Sequence, residues 1–280
     1  MDTILKKEKG LTLIELLIAL VISALLIAGF YRTFINQQKT YTVQEQVVDM
    51  QQNVRAAINH MMTEIRMAGF GNVSMVLPAT IGGKTYNDVV NWDTPAAGAL
   101  TIVSGMGFTT LTGIPSPNQI TVNSLTDSQG NLLFDTADKK YVSIGGLESY
   151  TITNIAGTTL TLGDLNGNLT YNHPIGTPIF AIRAVIYQVG MVDGKPTLLR
   201  DTNDGQTTQD KIQADGIENL QFTYLNSDGN VTANPKDIRI ITVSLRARTE
   251  RQDPDLNDGD GYRRRQIVSN IHLRNMGLVP

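Results

Sequence analysis

The chain has 280 residues, 41% hydrophobic and 18% charged, with 23 Lys and Arg against 26 Asp and Glu for a net charge of −3. That length leaves room for a core in one or two domains. The near balance of charge argues against a nucleic-acid protein held by bulk positive charge and against an acidic disordered tail protein. Cysteine is absent, which removes disulfides, thiolate zinc sites, iron–sulfur clusters and cysteine nucleophiles together.

Residues 1–10 are short and polar and carry Lys6, Lys7 and Lys9. An apolar run from Leu11 to Tyr31 follows, without a charge between Leu16 and Tyr31. Twenty apolar residues in a helix span roughly 30 Å, enough for a bilayer, and the preceding lysines predict that the leader stays in the cytoplasm. A secretory signal peptide would have a shorter apolar stretch and a small-residue cleavage site, so a membrane anchor fits better. Glu15 is the exception inside the run. A carboxylate deep in a span costs about 2.5–3.5 kcal/mol and usually has a partner. Thr12-x-x-Glu15 also has the spacing of a capping box, and the residues alone leave function and capping evenly matched.

From residue 43 the pattern changes. Val43, Val47, Met50, Val54, Ile58, Met61 and Ile65 recur at spacings of three and four, the signature of an amphipathic helix. No proline precedes Pro78, and Gly69 and Gly71 supply a stop. The spacing predicts one helix over 11–67, about 57 residues and roughly 85 Å long, with 11–31 as the membrane span. Its methionines read as core fillers.

Residues 68–280 read as a β-rich head. Strands are predicted at 100–103, 119–122, 150–153, 159–162, 179–188, 220–224 and 238–245, with turns at Asn166-Gly167, Asp193-Gly194 and Asp228-Gly229. Residues 72–118 read as irregular surface loops. The amphipathic helix face supplies the partner that a single sheet needs, so the fold class is α+β, a long N-terminal helix packed on a β-rich head.

The order Gly10-Leu11-Thr12-Leu13-Ile14-Glu15, after a basic leader and before a long apolar helix, resembles the type IV prepilin signature. The resemblance implies a pilin-like fold, cleavage between Gly10 and Leu11 by a membrane peptidase on the cytoplasmic side, and N-methylation of Leu11. The family more often has Phe at the first mature position. It also implies that Glu15 serves subunit assembly, meeting the terminal amine of a neighbour, because an unpaired carboxylate in low dielectric is far costlier than a paired one. Within the family, Tyr187-Gln188-Val189, Leu198-Leu199-Arg200-Asp201, Asp215-Gly216-Ile217 with Phe222-Thr223-Tyr224, and His272-Leu273-Arg274-Asn275 look like the later part of PilW-type minor pilins. The minor J-type pseudopilins of type II secretion share part of this pattern. The implied partners are other minor and major pilins, the prepilin peptidase and N-methyltransferase, and the inner-membrane assembly platform. The implied location is the inner membrane, single-pass with the head in the periplasm, and then the pilus at the cell surface. A membrane-anchored adhesin or hydrolase is the alternative from another class.

Asp253, Asp255, Asn257, Asp258 and Asp260 form the densest cluster of oxygen ligands, as in a calcium loop. It departs from the EF-hand spacing, since Gly259 is one place late and Arg264 stands where Glu is required. The plainer reading is a solvated acidic turn beside Arg263, Arg264 and Arg265, whose alternate members pair with it. No cofactor other than this calcium is expected, nucleic-acid binding is not expected, and the absence of nucleotide-binding and nucleophile motifs gives no case for an enzyme.

Overall fold

A computed structural model describes residues 12–71, 73–92, 98–163, 169–202, 211–256 and 259–276. One helix, α1, runs Leu13–Arg66, and a single helical turn, α2, covers Val73–Val76. Fourteen strands follow in chain order: β1 Ala79–Ile81, β2 Lys84–Tyr86, β3 Val90–Asn91, β4 Leu100–Thr110, β5 Gln119–Thr121, β6 Tyr141–Ile144, β7 Glu148–Ala156, β8 Thr159–Gly163, β9 Pro178–Val192, β10 Lys195–Asp201, β11 Ile212–Asp215, β12 Ile217–Leu225, β13 Ile240–Arg248 and β14 Arg264–His272. A long apolar helix followed by a β-rich head is the α+β class that the periodicities predict, and it is consistent with the pilin-like fold that the resemblance implies.

The chain divides into two compact units, one ending at Asp49 and one beginning at Met50. In the first, α1 is exposed all round; its apolar residues from Leu13 to Phe34 stand half or more in the open. In the second, α1 from Met50 onward buries Met50, Val54, Ala57, Ile58, Met61 and Ile65. The apolar stripe read from the sequence is therefore the buried face, because only that side of the helix meets strands.

The head contains three antiparallel sheets rather than one. β1 and β2 make a small hairpin; nine strands form the main sheet; β12, β13 and β14 form the third. The spine of the main sheet is β9. It pairs with β4 along ten residue pairs, with β6 near its start and with β10 near its end. Alternation is clean in the third sheet, where Leu220, Phe222 and Tyr224 of β12 and Ile241, Val243 and Leu245 of β13 are buried. A further core joins Leu111, Ile120, Phe134, Val142, Ile152 and Leu160 beneath β5 to β8.

Residues 72–118 differ from expectation. They contain β1 to β4, and β4 is buried over its first six residues against β9. Two glycines disguise this strand. A Cβ on Gly105 would lie 2.8 Å from the Phe70 carbonyl oxygen, and one on Gly107 would lie 2.4 Å from Leu133 Cδ2. The β4–β9 register shifts between them. Here glycine permits close approach at a bulge inside a strand, whereas in sequence it reads as loop.

Candidate functional site

The N-terminal helix opens on a reciprocal cap. The Thr12 amide and hydroxyl donate to Glu15 Oε2 at 2.8 and 2.9 Å, and the Glu15 amide donates to Thr12 Oγ1 at 3.3 Å. This is capping-box geometry, in which two orphan amides of the first turn are satisfied by each other's side chains. Glu15 is solvent-exposed in this unit. Capping uses Oε2, and the carboxylate lies within the first turn of the helix. Gly10 and Leu11, the predicted cleavage and methylation positions, lie outside the described residues.

Beyond Glu15 the helix carries no charge until Arg32, and it is long and apolar enough to cross a membrane, with a mean hydropathy of 2.7 over its most apolar 18-residue window. Thr33, Thr40 and Thr42 donate their hydroxyls to the carbonyls of Gly29, Asn36 and Gln38, so these polar groups are satisfied within the helix.

In the second unit a half-buried ionic cluster fixes the helix to the main sheet. Arg200 on β10 donates to both oxygens of Glu64, Nε to Oε2 at 2.9 Å and Nη2 to Oε1 at 2.6 Å. Tyr187 on β9 donates its hydroxyl to Glu64 Oε2 and lies 3.3 Å from His60 Nδ1. Arg183 approaches Glu64 at 3.5 Å. Burial resists ionisation of Glu64, but the hydrogen bonds from Arg200 and Tyr187 outweigh it and hold the carboxyl below its usual range. Burial, then the Glu64 charge, pushes the Tyr187 hydroxyl far up, so it remains a donor. A bidentate guanidinium on a carboxylate fixes orientation as well as distance. In sequence Glu64 lies off the apolar stripe and nothing local marks it, because its partners come from strands more than 100 residues away.

In the acidic segment it is the adjacent arginines Arg263 and Arg264, not alternate ones, that pair with the carboxylates. Asp253 accepts from Arg263 Nε at 2.6 Å and from the Asp255 amide at 3.0 Å. Asp260 accepts from both Arg264 Nη atoms at 2.6 and 2.5 Å, and Arg264 also grips Glu218 at 2.8 and 2.9 Å. Those hydrogen bonds from Arg264 hold the Asp260 carboxyl well below the carboxylate range. A cation at this loop would have to displace guanidinium groups from Asp253 and Asp260. Among the described residues, no three acidic or histidine side chains converge on one metal position. Asn257 and Asp258 lie outside the described residues.

A family model described as the prokaryotic N-terminal methylation motif matches residues 5–31. That span is a type IV prepilin-like signal, and it covers the leader, the capped turn with Glu15 and the apolar helix. The chain is thus type IV pilin- or pseudopilin-like at its N-terminus, and membrane association and partners in a pilus-type system go with that motif. No curated protein and no solved structure matches the chain.

Proposed function

We propose that this protein is a PilW-type minor pilin: a non-catalytic subunit cleaved between Gly10 and Leu11, methylated at Leu11, held in the inner membrane by one span with its head in the periplasm, and then drawn into a type IV pilus. The observation that carries the reading is the methylation motif on a helix whose first 22 described helical residues, Leu13 to Phe34, are open to the surroundings. A helix apolar on all sides needs lipid, or the like helices of other subunits, around it. Past the span, Phe34, Tyr41 and Val48 stay exposed at seven-residue spacing, away from the buried stripe. Such a seam suits contact with a neighbouring helix inside a filament.

The large head favours a low-copy position, priming assembly or sitting at the tip, over a repeating shaft position. Its partners would be the other minor and major pilins, the prepilin peptidase that also methylates, and the assembly platform. A minor pseudopilin of a type II secretion system is the second reading, favoured by Asp215-Gly216-Ile217 at the entry to β12. Deleting the gene separates the two. Loss of surface pili and twitching supports the pilin, while secreted enzymes trapped in the periplasm support the pseudopilin. An anchored adhesin or hydrolase would retain its leader.

A further inference from the structure

β14 is a sheet edge that carries charge at its start, on Arg264 and Arg265, but none over its centre. It lies at the end of the third sheet, pairs only with β13 among the described residues, and keeps register over nine residue pairs. Exposed edges of this length are ready templates for another strand, and proteins ordinarily blunt them with charge, proline, bulges or brevity. Four other edge strands among the described residues are blunted. β3, β5 and β11 have two, three and four residues. β12 is bulged between Ile217 and Asn219, and Val231 and Thr232 fold back on it. By contrast, Gln266-Ile267-Val268-Ser269-Asn270-Ile271 has no charge and no proline.

The pairing pattern shows which groups are free. The amide of Thr249 donates to the Arg263 carbonyl and that of Leu273 to the Arg239 carbonyl, just beyond the two ends of the β13–β14 ladder. In an antiparallel ladder bonded pairs alternate, so the odd residues of β14 bond to β13. The even residues, Arg264, Gln266, Val268, Asn270 and His272, direct their amides and carbonyls outward. Gln266 donates to Ser244 and Asn270 accepts from Thr242, so both side chains are tied to β13. Val268, 57% exposed, stands at the centre.

We propose that β14 pairs antiparallel with β14 of a second copy of this chain, about a twofold axis at Val268. In that register Val268 faces its own copy, Gln266 faces Asn270, Ile267 faces Ser269 and Arg264 faces His272. Every outward backbone group is used, and no arginine meets an arginine. The parallel alternative would stack Arg264 and Arg265 of both copies at one end, and like charges side by side oppose pairing. The contact is isologous and closes on itself, joining two three-stranded sheets into one of six.

The absence of native cysteine makes the test direct. Full-length V268C in detergent, mildly oxidised, forms a disulfide-linked homodimer at least tenfold faster than V231C, whose position is more exposed at 76%. Across an antiparallel bonded pair the Cα atoms lie about 5.5 Å apart, within disulfide reach. Mixed Q266C and N270C chains give the heterodimer in excess of either homodimer. Adding Q266P to V268C removes an outward amide, spares the β13 ladder and abolishes cross-linking while the thermal transition persists. Cross-linking of V268C no faster than V231C would overturn the proposal. So would Q266C and N270C homodimers without the heterodimer, or cross-linking indifferent to Q266P.

Discussion

Two glutamates on one helix carry opposite lessons about a charge among apolar residues. Glu15 is satisfied locally by Thr12, in a box that any soluble helix could use, so its cap alone does not explain a carboxylate within the membrane-spanning run. Glu15→Ala should do no more than fray the helix start yet sharply reduce incorporation of the subunit into filaments, read as its abundance in sheared pili relative to membranes. Undiminished incorporation would remove Glu15 from assembly. Glu64 is satisfied at long range by Arg200 and Tyr187. Glu64→Ala leaves Arg200 and Arg183 without their carboxylate and should destabilise the head by about 3 kcal/mol, measured by thermal or denaturant unfolding of the full chain. Because the folded Glu64 carboxyl is more acidic than in the unfolded chain, its stabilisation is present at neutral pH. It is lost as pH falls below the ordinary glutamate range and on through the lower folded value. The wild type should therefore lose more stability than Glu64→Gln between pH 6 and about 3.5. At the acidic loop, Asp253 and Asp260 already hold arginines, so millimolar calcium should leave the melting transition unchanged. A calcium-dependent rise would restore the loop as a metal site.

At the scale of elements, what could be read from sequence was what repeats locally. The single helix was legible because apolar spacing of three and four persists without proline, and β9, β12 and β13 because β-branched runs lie between turn signals. The Asp193-Gly194 turn joins β9 to β10 with both residues at positive φ, 49° and 74°, as that dipeptide predicts. β4 was largely hidden, since Gly105 and Gly107 are demanded by Phe70 and Leu133, residues distant in sequence. Gly105→Ala would force the Phe70 carbonyl aside, break the amide bond that Gly105 gives it at 2.7 Å, and cost about 2 kcal/mol. An unchanged transition would show that the bulge tolerates a side chain. The third sheet's separation from the main sheet was equally illegible, because strand partnership depends on where β12 turns and not on its composition. Of the candidate site, the N-terminal signal was wholly legible as a contiguous motif, while the Glu64 cluster, assembled from one helix and two strands, was not.

For the whole molecule, the division of labour follows the hydropathy. Among the described residues of the unit ending at Asp49 none is buried, so its apolar surface needs lipid or other helices around it, while the unit from Met50 has its own buried core. The methylation motif lies entirely in the first unit, so under the proposed function processing and anchoring are written there and what distinguishes the subunit from others is written in the head. The measurement that tests this account most directly is mass spectrometry of the N-terminal peptide of the protein taken from sheared surface filaments of its native host. The account predicts a peptide that begins at methylated Leu11. A peptide that begins at Met1, recovered only from membranes in cells whose other pilins are processed, would contradict it.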